Sequence, residues 1–240
     1  MQQSTALTLL KAGKNVFLTG SAGTGKTHVL QSYIHYLHRR RVSVAVTAST
    51  GIAATHIKGS TVHAWSGIGL HRTLTPEQLD QLYQRRSLRE QIEKTKVLII
   101  DEISMLHKTQ LDLVDQVLRH FKRTHHAFGG IQVVVSGDFF QLPPVGYAGE
   151  TNKEKFAFMA KAWLTAKFTV CYLTEQFRQK AGDLQHILNE VRQNKVSERS
   201  KALLRKTQQN RFDPNIIPPT LYTHNHDVNR TNNAQLRALS

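Results

Sequence analysis

The chain has 240 residues, 40% of them hydrophobic, which is enough for one large domain with a buried core. Lys and Arg number 32 against 17 Asp and Glu, a formal net charge of +15. A balance that basic suits a polyanionic partner, because each cation set against a phosphate releases a condensed counterion. One cysteine, Cys171 in the apolar run FTVCYL, excludes an intrachain disulfide and suits a reducing cytoplasm. No apolar run approaches the ~18 residues of a membrane span, and the first residues lack the basic-then-apolar plan of a signal peptide.

Short apolar runs alternate with longer helical patterns. Strands are expected at Asn15–Thr19 (NVFLT), Val42–Ala48 (VSVAVTA), Val97–Asp101 (VLIID), Gln132–Gly137 and Phe168–Leu173. All are rich in β-branched residues, continuous and bounded by turns, as strands covered on both faces are. Helices are expected at Thr27–Arg40, Pro76–Lys94, Lys108–Thr124, Lys153–Ala166, Gly182–Gln193 and Ser197–Gln209. Pro76 and Glu77 after Thr75 make a good helix start. Strand and helix in alternation predict an α/β fold, a parallel sheet with helices on both faces. The proline-rich stretch Arg211–Pro219 reads as a linker, followed by a strand over PTLYTHN and a helix over Asp227–Leu239.

The segment GSAGTGKT fills the phosphate-loop pattern with Gly20, Gly25, Lys26 and Thr27, and Ser21, Ala22, Gly23 and Thr24 complete the loop. An apolar strand precedes it and a helix follows, which is the context the motif requires. The glycines let backbone N–H groups curl round a phosphate at a helix N-terminus. Lys26 is expected to reach the β- and γ-phosphates of ATP, and the Thr27 hydroxyl to bind Mg²⁺. VLIIDEIS then supplies Asp101 and Glu102 at a strand end. Asp101 suits Mg²⁺, and Glu102 suits a general base acting on water. The reaction class that follows is metal-assisted phosphoryl transfer to water.

The order of further segments resembles the superfamily 1B DNA helicases of the petite-integration-frequency (PIF) type, relatives of the RecD helicases. NVFLTGSAGTGKT, VAVTASTGIAA, GSTVHAWSGIGL, VLIIDEISML, VVSGDFFQLPPV, LTEQFRQ, LNEVRQNK and TLYTHNHDVNRTNNAQL carry the likeness in order, from Gln3 to Leu239. The resemblance implies a RecA-like P-loop domain over residues 1–212, then a linker and the start of a second such domain over 213–240. It implies ATP-driven movement on single-stranded DNA, 5′ to 3′, by a monomer in a bacterial-type cytoplasm, acting on the nucleoid. By position, Gln3 matches an adenine-reading glutamine. Gln141 matches a γ-phosphate sensor, and Arg178 an arginine that neutralises transition-state charge. Thr50, Gly51, His63, Trp65, Phe139, Pro143, Pro144 and Asn225 are the expected DNA contacts, with Phe140 beside them. Trp65 and Phe139 fill core equally well on sequence grounds. The basic stretch Arg85, Arg86, Arg89 and Lys94 reads as a solvated helix face.

The family's second RecA-like domain carries two more motifs that this sequence lacks, so a fragment, a truncated product or an incomplete gene is expected. Two readings stay open: the motor half of a DNA helicase, or a non-catalytic module that binds nucleotide and single-stranded DNA. An unrelated P-loop ATPase acting on another polymer is a third.

Overall fold

The computed structural model describes residues 1–151, 153–177, 182–211, 213 and 219–238. The chain forms two compact units, Met1–Lys180 and Ala181–Ser240. In chain order the first contains α1 (Gln3–Lys11), β1 (Val16–Gly20), α2 (Lys26–Arg39), β2 (Val44–Ala48), α3 (Gly51–His56), β3 (Ser60–Thr61) and α4 (Val62–Ser66). It continues with α5 (Pro76–Gln84), α6 (Arg86–Lys94), β4 (Val97–Asp101), α7 (Lys108–Lys122), β5 (Gln132–Ser136), α8 (Lys161–Ala166) and β6 (Thr169–Leu173). The second unit holds α9 (Asp183–Arg192), α10 (Glu198–Thr207) and α11 (Asn225–Arg237).

The six strands form one sheet in the order β3-β2-β4-β5-β1-β6, and every pairing is parallel. Alternation along the strands shows why both faces had to be covered. Phe17, Leu98, Ile100, Val133 and Val135 enter one core, packed under α4 to α8. Their neighbours Val16, Leu18, Val97, Ile99 and Val134 enter a second core, under α1 and α2. A period of two with both phases apolar is the signature of a buried parallel strand.

The expected helix over Pro76–Lys94 is two helices. Thr75 caps the first with a capping box to Gln78, Pro76 sits in its first turn, and Arg85 is extended at φ −72°, ψ 99°. Leu79 and Leu82 of α5 and Leu88 and Ile92 of α6 are all buried. In one straight helix Leu82 and Leu88, six residues apart, would point about 120° apart at ~100° per residue. The break at Arg85 turns both apolar stripes to the core.

The expected helix over Lys153–Ala166 is shorter, confined to α8 after a 3₁₀ turn at Ala157–Met159. Phe156 is bridged to His107, and the Phe156 and Phe158 rings stack at 5.2 Å. These contacts hold the segment out of helix. The expected strand over PTLYTHN pairs with nothing among the described residues, and α11 begins at Asn225. The rest of the Arg211–Pro219 stretch falls largely outside the described residues.

Candidate nucleotide site

In a parallel sheet every strand ends at the same edge, so the segments that follow β1, β2, β4, β5 and β6 converge there. The loop after β1 is fixed by contacts within itself. The Thr24 hydroxyl donates to the Ser21 carbonyl at 2.9 Å. Gly20 (φ 147°) and Gly25 (φ 83°) adopt backbone that L side chains avoid. A Cβ on Gly20 would lie 2.6 Å from the Leu173 carbonyl of neighbouring β6, and one on Gly25 would collide with the Gln3 side-chain amide. These are places where backbone must approach closely, as a phosphate cradle needs.

The Lys26 ammonium donates to the Gly20 and Ser21 carbonyls at 2.8 and 3.2 Å, so it spans the mouth of the loop. Gln3 reaches the loop from α1, its amide donating to the Thr24 carbonyl at 3.1 Å. From the segment after β6, the Gln176 amide donates to the Ser21 hydroxyl at 2.8 Å, and the Phe177 N–H donates to the Gly23 carbonyl at 2.9 Å. Ala22, Gly23, Gly25, Lys26, Thr27, Glu102, Gln141 and Phe177 line a cleft of about 320 Å³.

A second cleft, about 490 Å³, shares Thr27, Glu102 and Gln141 and adds Asp101, Thr50 and Leu142. Asp101 is buried at the end of β4. Burial pushes its carboxyl above the usual range, opposed by the Glu102 N–H and the Lys26 ammonium. Burial likewise raises Glu102, with Asp101 and Asp138 adding to it and Lys26 opposing. Glu102 sits in the left-handed region at φ 52°, ψ 44°. The Ser49 hydroxyl holds it there by donating to the Glu102 carbonyl at 2.7 Å, while the Ser49 N–H donates to the Asp101 carbonyl at 3.1 Å. Strain of this kind is held where surrounding contacts over-determine it.

Gln141 follows a turn built on buried Asp138, whose carbonyl accepts the Gln141 N–H at 2.9 Å and whose carboxylate accepts the Phe140 N–H at 3.1 Å. Ser49, Asp138, Gln176 and Phe177 are site residues that sequence reasoning missed. Each lies inside or beside a segment that carried the resemblance, which was the available signal. Arg178 lies outside the described residues.

The fit to a nucleotide and Mg²⁺ rests on donor chemistry. The glycine loop supplies backbone N–H groups and Lys26 for phosphate. Thr27 and Asp101 supply hard oxygens, which suit Mg²⁺ held jointly with phosphate oxygens. Among the described residues no three His, Cys, Asp or Glu side chains gather as a metal cage.

The expected DNA contacts divide. Thr50 caps α3, its hydroxyl oxygen accepting the Ala53 N–H at 3.3 Å, and Gly51 opens that helix in free space. His63 is half-buried on α4, and Asn225 is exposed in the second unit. Two stacking residues are corrected. Trp65 is only 8% exposed and lies in the core, and half-buried Phe139 packs tilted on Phe17 at 5.4 Å and edge-on against Phe158 and Trp163 at 4.9 and 5.8 Å. Pro144 is buried too, whereas Pro143 is exposed. The exposed apolar surface near the site belongs instead to Phe140, Leu142 and Val145, at 73%, 68% and 89% exposed.

A parallel sheet with both faces covered and a glycine loop leading from β1 into α2 make the domain a RecA-like P-loop domain. Residues 2–208 match the model of the PIF1-like helicase family, and the chain belongs to that family. It is 56% identical over its whole length to the ATP-dependent DNA helicase Pif1 of Psychrobacter sp., covering 37% of that protein. It is 39% identical to the ATP-dependent DNA helicase RRM3 of Saccharomyces cerevisiae, covering 34%. Among solved structures, the Pif1 helicase from Candida albicans superposes with a TM-score of 0.89 at 34% identity, over 99% of this chain and 54% of that one. Pif1 from Bacteroides in complex with ADP-AlF3 and ssDNA gives 0.82 at 32% identity, over 98% and 56%. The chain thus spans about a third of the length of these curated relatives. No helix among the described residues is long and apolar enough to cross a membrane.

Proposed function

We propose that this chain is the ATP-binding motor domain of a DNA helicase that moves 5′ to 3′ along single-stranded DNA, working as a monomer. Residues 1–212 would form that domain, and 213–240 the linker and start of a second RecA-like one. The observation that carries the reading is the meeting of the glycine loop, Asp101, Glu102 and Gln141 at the carboxyl edge of one sheet. The Bacteroides relative, with ADP-AlF3 and ssDNA in its complex, supports the ligand pair.

Lys26 would leave the Gly20 and Ser21 carbonyls for the β- and γ-phosphates of ATP. Thr27 and Asp101 would hold Mg²⁺, which supplies charge neutralisation to the phosphates. Glu102, its proton affinity raised by burial, would take the proton of the attacking water. Gln141, seated on the Asp138 turn, would report the γ-phosphate to the neighbouring segment of Phe140 and Leu142. Gln3 would read the adenine edge, and Arg178 would neutralise charge developing in the transition state. Thr50, Gly51, His63, Pro143 and Asn225 remain the proposed DNA contacts.

The test is ATP hydrolysis by the full chain with and without a single-stranded oligonucleotide. Turnover stimulated by the oligonucleotide and abolished by Lys26→Ala is the expected result. Binding of both ligands without turnover would leave a non-catalytic module in its place.

A further inference from the structure

The opposite edge of the sheet has a chemistry of its own. No Asp or Glu occurs before Glu77 in the sequence. In the five segments that lead into the buried strands, KAGKN, HRRRVS, EKTK, RHFKRTHH and AKF, Glu93 is the one carboxylate. The parallel topology gathers all five at the amino edge. Backbone and side-chain hydrogen bonds stitch them together. The Lys96 N–H donates to the Ser43 carbonyl at 2.9 Å, and the Gln132 N–H to the Lys96 carbonyl at 3.1 Å. The Gln132 amide donates to the Lys14 carbonyl at 2.8 Å, and the Thr169 N–H to the Asn15 carbonyl at 2.8 Å. The spacing of the cations is therefore set by the sheet.

In strand order the exposed cations are Arg40 and Arg41 before β2, Lys96 before β4, Arg123 before β5, Lys14 before β1 and Lys167 before β6. Among the described residues no ion pair joins any of the six to a carboxylate; the nearby pairs are Lys94 with Glu90, Arg119 with Asp115 and His120 with Asp80. Complementing the negative ends of α2 and α7 accounts for Arg39 and Lys122, which belong to those helices' last turns. It does not account for Lys14, Arg41, Lys96 or Lys167, which lie beyond helix ends.

We propose that this amino edge is a second DNA-binding face, one that grips the phosphate backbone of a duplex without reading sequence. Its span from β2 to β6 is four strand spacings, about 19 Å. That length of duplex carries about 11 phosphate charges at one per ~1.7 Å. Single strands are held by rings that stack on bases. Here the rings are taken: Tyr36 is covered by Arg40 at 4.3 Å and Lys11 at 4.9 Å, and Tyr83 by Arg89 and Arg123 at 5.2 and 5.5 Å. A membrane surface would require apolar side chains beside the cations. None of the exposed large apolar residues belongs to these five segments. The face shares with the proposed function only the premise that DNA is the partner.

The experiment measures anisotropy of a blunt 20-base-pair duplex with the full chain between about 50 and 200 mM salt, where phosphate contacts dominate. The variant Arg40→Ala/Arg41→Ala/Lys96→Ala should lose at least ~10-fold in affinity, and its slope of log K against log salt should shrink by about 0.9 per contact removed. Single-strand-stimulated ATPase should stay within about twofold, since these residues lie at the other edge. Arg40→Lys/Arg41→Lys should keep the duplex, and Lys14→Ala/Lys96→Ala gives a second reading of the slope should the triple variant lower the melting temperature. An unchanged affinity and slope would overturn the proposal. So would loss of binding to phosphatidylserine vesicles with duplex binding intact. Lys26→Ala separates the two functions: it should abolish turnover and leave duplex binding in place.

Discussion

Strands β1, β4 and β5 end in segments that are conformationally constrained and begin in segments that are electrostatically biased. At the carboxyl edge the backbone enters the left-handed region at Gly20, Gly25 and Glu102, and carboxylates lie buried. At the amino edge the side chains are long, cationic and exposed. A nucleotide site needs few groups held in fixed positions, and the first edge has that character. A polyanion surface needs many charges with loose geometry, and the second has that one. Substitutions at the first edge should therefore damage structure or chemistry one residue at a time, and those at the second should act additively on binding and move stability little.

The largest effect is expected from Lys26→Ala, a loss of turnover of at least about 10²-fold, the scale for removing one group that stabilises developing charge. Glu102→Gln should lose turnover comparably, and it sharpens the comparison because stability should move the other way. Burial holds the Glu102 carboxyl above its ordinary range, so the folded state binds the proton more tightly than the unfolded chain does. That contribution to stability is complete below the unfolded value of about 4.3 and is lost as pH rises through the raised folded value. The amide has no such loss. Melting temperatures of wild type and variant should therefore coincide near pH 4 and diverge toward neutral pH, the variant being higher. Equal melting temperatures at pH 7 would mean that the carboxylate is not penalised by its site. Gly20→Ala comes next. Its Cβ would meet backbone, the Leu173 carbonyl, which cannot swing aside, so we expect a cost of about 1–3 kcal/mol in denaturant unfolding.

The same contrast explains what could be read from the sequence. VLIID and the loop GSAGTGKT announce themselves because a strand buried on both faces must be apolar at every position, and a phosphate loop must be glycine at fixed ones. Asp101 and Glu102 follow from the strand end. The break at Arg85 was not legible, since each half alone carries a good helical pattern and only the common core requires them to turn. Trp65 and Phe139 could not be assigned between core and surface because an aromatic ring serves either, and the aromatic cluster that takes Phe139 draws on Phe17, Phe156, Phe158 and Trp163 from distant segments. The partners Gln176 and Ser49 escaped for the same reason: Gln176 contacts the glycine loop more than 150 residues away, and Ser49 contacts the segment after β4 about 50 residues away. The amino edge was visible only as net charge, because topology, not sequence order, lines its cations up.

The smallest effect tests whether the amino edge also separates function from stability. Arg41 occupies the left-handed region at φ 56°, where its N–H donates to the His38 carbonyl at 3.0 Å and the chain turns from α2 toward β2. An L residue there is strained by about 1–2 kcal/mol, and glycine is not. Glycine in turn raises the entropy of the unfolded chain by about 0.4–1 kcal/mol. The difference leaves Arg41→Gly stabilised by about 0.5 kcal/mol, read as a small rise in the denaturant midpoint at constant slope. Duplex binding by the same variant should weaken, with its salt slope reduced by about 0.9, because one phosphate contact is gone. A lowered midpoint would mean that the guanidinium, exposed as it is, holds the turn through a contact that matters more than the strain, and the amino edge would then resemble the carboxyl edge after all.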